Sequence, residues 1–90
     1  MTRVIWKFLI PTQGFLEILM PSIADILCVQ AQGGGAYIWA LVETESKGIR
    51  RYFRLYGTGN EVTHESGQYI GTFQTLSHEV YHLFEVDDDD

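Results

Sequence analysis

Residues 75–85 read TLSHEVYHLFE, and within them His78-Glu79-Val80-Tyr81-His82 spells the H-E-x-x-H signature of zinc peptidases. On a helix, His78 and His82 stand one turn apart on one face and both imidazoles reach one Zn²⁺. Glu79 then stands beside the metal-bound water as a general base. That chemistry needs a third protein ligand. Downstream of His82 the only choices are Glu85 and the terminal aspartates, and a ligand on the same short helix converges poorly on a tetrahedral site. Upstream, His64 lies in a loop with nothing to fix it. VYHLFEV is also β-branched and aromatic, with Val80, His82, Phe84 and Val86 on one parity. On a strand the two imidazoles would be about 13 Å apart, too far for one metal. The strand reading is preferred, with no metal and no cofactor expected; a minimal zinc hydrolase built on His78, Glu79 and His82 is the alternative.

The second chemistry-bearing stretch is GIRRYFRLYGTG. As a strand it puts Arg50, Tyr52, Arg54 and Tyr56 on one face, alternating guanidinium and phenol. Such a surface can hold a carboxylate or phosphate by paired hydrogen bonds and stack on a base or on a partner's aromatic ring. It is equally an ordinary solvated strand face on which arginine stems cover rings. Arg51 falls on the apolar parity, which implies an edge strand or a partly covered one. Gly57 and Gly59 follow in YGTGN, which lacks the Lys-Ser/Thr of a phosphate loop and reads as a turn. The candidate ligand- or partner-binding set is Arg50, Tyr52, Arg54, Tyr56, Gly57 and Gly59. Trp6 and Trp39, among apolar neighbours, are expected in the core.

Turn chemistry at PTQG, MPSIAD, QGGG, ETESKG, GTGN and THESGQ divides the chain into short segments rich in Val, Ile, Tyr, Phe and Trp. Arg3 to Ile10 alternates, with Val4, Trp6, Phe8 and Ile10 on one side and Arg3 and Lys7 on the other. Six more strands are predicted at Phe15–Met20, Ile26–Gln32, Ala36–Glu43, Ile49–Tyr56, Tyr69–Leu76 and Val80–Val86. AYIWALV is apolar on both parities and is expected to be a central strand covered on both faces. QGGGA should close a hairpin, Gly71 should mark a bulge or a close backbone approach, and Ser22–Asp25 should form a single helical turn. The expected fold class is all-β, a single small antiparallel sandwich or curled barrel over residues 1–86, with 87–90 as an acidic tail.

At 90 residues, 46% hydrophobic and 13% aromatic, the chain can bury one modest core. The net charge of −6 owes much to Asp87–Asp90; the body carries eight acids against six bases, which argues against direct DNA binding. Cys28 has no cysteine to pair with and sits in an apolar run, so it reads as a buried hydrophobe in a reducing compartment. No apolar run reaches the length of a membrane span. Pro11–Gly14 and Glu17 interrupt any leader-like stretch, and a cytoplasmic location is expected.

In order along the chain, RVIWKFLIP, MPSIADILCVQAQ, YIWALVE, RYFRLYGTGNEV, YIGTFQ and HLFEV resemble the pattern of a family of short phage- and prophage-encoded proteins. That pattern runs R-x-I-W-K, W-A-L-V, R-x-F-x-x-x-G-T-G and Y-I-G-T-F…H-x-F-E. The resemblance implies a closing strand to which only His82 of the two histidines belongs; it implies no particular activity. With no catalytic constellation favoured, the expectation is a non-enzymatic accessory protein of a phage or mobile element. It would act by binding in the host cytoplasm, in the manner of an anti-CRISPR-like inhibitor of host defence. Its partner would be a host protein or an anionic small molecule such as a nucleotide. A structural phage protein that assembles through a sheet edge is a further alternative, and oligomeric state is left open.

Overall fold

In β1 (Arg3–Ile10) every second side chain from Val4 turns toward one face, on which Val4 and Phe8 are half-buried, Trp6 is exposed and Ile10 is enclosed. The same two-residue repeat runs through the computed structural model, which describes residues 1–65 and 67–88. These residues form seven strands: β1, β2 (Phe15–Pro21), β3 (Ala24–Gln32), β4 (Gly35–Glu43), β5 (Gly48–Gly57), β6 (Gln68–Gln74) and β7 (Val80–Val86). All pairings are antiparallel. One sheet has the order β1-β4-β3 and the other β2-β5-β7-β6. The sheets stack as a small sandwich, not a closed barrel, and the described residues contain no helix.

The core lies between the sheets. Ile38, Ala40 and Val42 of β4 and Val29 of β3 meet Leu16, Ile18 and Met20 of β2, Phe53 and Leu55 of β5, Phe73 of β6 and Leu83 of β7. Gly71 has both roles expected of it. The β6–β7 register shifts between Tyr69 and Gly71, and a Cβ on Gly71 would lie 2.8 Å from Val29 Cγ1 of the opposite sheet. Gly33, at φ +60°, turns the β3–β4 hairpin. Asp87 and Asp88 follow β7; the rest of the expected tail, Asp89 and Asp90, lies outside the described residues.

Several expectations are corrected. Ser22–Asp25 makes no helical turn: Ser22 and Ile23 form a bend whose amides donate to Lys47 O (2.6 Å) and Ser46 Oγ (3.2 Å), and Ala24 already starts β3. The sixth strand stops at Gln74. Thr75 and Leu76 belong to a turn closed by His78 N–H on Thr75 O (3.0 Å), with Thr75 N–H on Glu79 O (2.8 Å). Trp6 is 42% exposed because β1 is an edge strand and leaves the ring neighbours on one side only. Trp39 is half-buried on the outer face of β4 under the Lys7 stem, whose ammonium is 5.6 Å from its ring and 4.5 Å from that of Tyr37. β4 is central, but only one of its faces is covered by the other sheet. The opposite one is an apolar surface on which Ile5, Leu9 and Leu27 stay more than half exposed.

Arg51 is not on an edge strand, since β5 has β2 and β7 as neighbours. It points between the sheets. Its Nε and Nη2 donate to the two Glu85 oxygens at 2.6 and 2.7 Å, and its Nη1 donates to Ala24 O of the other sheet at 2.9 Å. The Glu85 hydrogen bond holds the guanidinium pKa above its ordinary value, against the opposing effect of burial, with the Glu85 and Asp25 charges adding to the rise. A charged side chain on the core parity is thus kept by a bidentate partner and by a bond that ties one sheet to the other.

Candidate functional site on the outer face of the four-stranded sheet

Arg50, Tyr52, Arg54 and Tyr56 share the outer face of β5, as the alternation requires. Register adds neighbours that lie far away in sequence. Antiparallel pairing sets Phe15 of β2 beside Arg54, Glu17 beside Tyr52 and Leu19 beside Arg50. On the other flank Phe84 of β7 stands beside Arg54 and His82 beside Tyr56, with Tyr69 and Thr72 of β6 beyond them.

The site divides in two. Toward β2, Phe15 and Tyr52 stack at 6.0 Å with an interplanar angle of 16°, and the Arg54 guanidinium lies 5.0 Å over the Phe15 ring. Arg50 reaches Glu17 at 3.2 Å, an exposed pair of little energetic weight. Leu19 is largely exposed beside them. This half is an open platform of rings and guanidinium groups.

Toward β6 the loop after β5 folds back over the sheet. Tyr56 is only 8% exposed. Its hydroxyl oxygen accepts the N–H groups of Thr63 (3.2 Å) and His64 (3.3 Å) and lies 2.9 Å from His64 Nδ1. Tyr56 therefore anchors a loop instead of presenting itself to a partner, contrary to its expected place on the binding face. Phe84 contacts the rings of Tyr56 (5.9 Å), His64 (4.8 Å) and Tyr69 (5.5 Å). Between this cluster and the loop is a concavity of about 250 Å³, lined in part by Gly57, Gly59, Val62, Tyr69, His82 and Phe84. Gly59, at φ +92°, makes the turn.

The five-residue zinc signature is split between loop and strand. His78 sits in the β6–β7 turn at φ +70°, with Nδ1 3.3 Å from Gln74 Nε2. His82 is on β7, its Nε2 2.7 Å from Thr58 Oγ1 and its Nδ1 2.9 Å from Thr72 Oγ1, and Thr72 bonds in turn to Tyr69. Among the described residues no three His, Cys, Asp or Glu side chains converge as a metal-binding group. Cys28 lies half-buried on β3 beside Trp39. No helix among the described residues is long and apolar enough to cross a membrane.

Phe15, Tyr69, His82 and Phe84 complete the site and were not among its expected residues. Parity alone puts Phe15 with Glu17 and Leu19. Which strand those three lie beside is decided by a pairing that joins β2 to β5 across two intervening strands.

A family model described as a domain of unknown function (DUF7352) matches residues 1–90, and the chain belongs to that family. No curated protein and no solved structure matches it.

Proposed function

We propose that this member of the family is a non-enzymatic binding protein that docks a protein partner on the platform formed by Phe15, Leu19, Arg50, Tyr52 and Arg54. The observation that carries this reading is the platform's composition and openness: stacked rings, an arginine laid over one of them, and an exposed leucine beside a second arginine. Tyr and Arg dominate the energetic centres of protein interfaces, where their large, partly apolar surfaces are desolvated. Strand side chains are held at fixed spacing, so little ordering entropy is lost on docking. A platform lined by Arg50 and Arg54 suits a partner patch carrying carboxylates, with Glu17 setting the register of approach.

The finer setting is a phage or mobile-element accessory protein that occupies a host antiphage defence component in the host cytoplasm. It rests on the motif resemblance described for the sequence. The test is affinity capture from host lysate with the wild type, an Arg50→Glu/Tyr52→Ser variant, and a Leu9→Lys variant on the opposite sheet. A stoichiometric partner retained by Leu9→Lys and lost by Arg50→Glu/Tyr52→Ser is expected. A partner retained by the Arg50/Tyr52 variant, with both variants folded, would rule the platform out.

A further inference from the structure

We propose that the concavity at the end of β5 is a binding site for the heterocycle of a free nucleoside phosphate, whose phosphate lies on the Arg54 side. The proposed site adjoins the protein-docking platform and, at its phosphate end, shares Arg54 with it, but the inference does not rest on that platform binding a partner.

The wall is made of rings. Phe84 and Tyr69 meet edge to face at 5.5 Å, and Tyr69 keeps 54% of its surface open. Val62, half exposed, closes the loop side. Polar residues complete the lining: Thr58, Asn60 and His82 border the space. Among the described residues, no Asp, Glu, Lys or Arg does. A group that fits this lining is flat and apolar on its faces and carries donors and acceptors around its edge, which describes a nucleobase. Stacking on an aromatic side chain contributes about 1–3 kcal/mol per base.

The rim is set in advance. His82 is held from both sides, by Thr58 and Thr72, at 2.7 and 2.9 Å. Hydroxyls serve either as donor or as acceptor, so the ring keeps its position in either tautomer. Asn60 N–H donates to Gly57 O at 3.1 Å, and its amide packs so close to Gly57 that a Cβ there would lie 3.0 Å from Nδ2. Gly57 thus has a reason to be glycine beyond ending a strand.

Ring faces also attract organic cations, but the charge pattern disfavours one here. Arg54 is the ladder neighbour of Phe84, with its guanidinium over Phe15 on the β2 flank, and Arg50, paired with Glu17, follows on the same face. Their field favours an anionic tail beside the ring wall, while exposed Glu61, next to Asn60, repels that tail from the loop side. A heterocycle with a phosphate on the Arg54 side satisfies both halves of the pattern.

The test is an amide NMR titration of the intact protein with AMP, GMP, CMP and UMP and the four corresponding nucleosides. The expected result is shifts confined to 57–62, Tyr69, His82 and Phe84, with at least one nucleotide several-fold tighter than its nucleoside. Tyr69→Ala, at an exposed position, should weaken both at least tenfold. Arg54→Gln, or added salt, should remove only the nucleotide's advantage. The proposal is overturned if none of the eight probes gives localised shifts, or if no nucleotide binds more tightly than its nucleoside. Affinity that climbs with length in a homo-oligonucleotide series would also overturn it, since the site would then serve strands and not a free nucleotide.

Discussion

Glu85→Gln leaves the volume at position 85 nearly unchanged and removes the charge that Arg51 is paired with. In the wild type the two side chains are only 19% and 22% exposed, their contact is bidentate, and Arg51 Nη1 also holds Ala24 O of the facing sheet. Removing one partner of a buried ion pair costs about 3–5 kcal/mol. With about a fifth of each side chain still in water, and a neutral amide able to keep one of the two hydrogen bonds, we expect about 2 kcal/mol for Glu85→Gln. Arg51→Met, which strands the carboxylate and also severs the inter-sheet bond, should cost about 3 kcal/mol. The Arg51→Met/Glu85→Gln double variant leaves no orphaned charge and should lose only about 1–2 kcal/mol, so the coupling is about 3–4 kcal/mol. Urea denaturation followed by far-UV circular dichroism, with a common slope across the four proteins, reads these values directly. Additive losses, with a coupling under about 0.5 kcal/mol, would mean the pair behaves as a surface contact and the sheets are held together without it. The pH dependence follows from the sign of the shift. Arg51 is raised above its ordinary value in the folded state, so its contribution is fully present below the unfolded value and is lost only as pH climbs through the folded one. Stability should therefore show no alkaline loss from Arg51 in ordinary buffers.

Other perturbations probe separate parts of the account. Tyr56→Phe removes the oxygen that accepts from Thr63 and His64; it should cost about 1–2 kcal/mol and speed amide exchange at 63 and 64, leaving the β4 amides protected. Gly71→Ala drives a methyl against Val29 and should cost about 1–3 kcal/mol, measurable as a lowered urea midpoint. His78→Ala leaves the left-handed backbone of an exposed turn with its Cβ and removes the imidazole and its contact with Gln74; a loss of no more than about 1 kcal/mol is expected, the same with or without added zinc, and a zinc-dependent difference would revive the metal reading of the signature.

The strands were legible because their chemistry is local. Arg3–Ile10 and Val80–Val86 are β-branched and aromatic, the first stopped by Pro11 and the second following the turn at Ser77 and stopped by Asp87, and both strands end where the composition changes. Parity placed Arg50, Tyr52 and Arg54 together for the same reason. What parity cannot supply is pairing. Phe15 meets Arg54 only because β2 lies antiparallel to β5, and Phe84 meets Tyr69 only because β6 and β7 pair at the far side of that sheet. Tyr56 has the same strand signature as Tyr52, yet it is buried by a loop whose return is fixed by two backbone amides and a histidine ring. Trp39 misled in the opposite direction. An apolar side chain between apolar neighbours suggests a covered strand, but the second sheet lies on one side only, and a lysine stem does the covering on the other. Ser22–Asp25 lacks a helical turn because its backbone groups have better partners at Ser46 and Lys47, 23 and more residues away.

Hydrogen-exchange footprinting of the protein with its captured partner decides whether the open half of the four-stranded sheet is the docking surface. Slowed exchange at 15–19 and 50–54, with 5–9 and 37–41 of the other sheet unchanged, is the predicted result. Protection confined to the three-stranded sheet, with residues 15–19 and 50–54 exchanging as in the free protein, would contradict it.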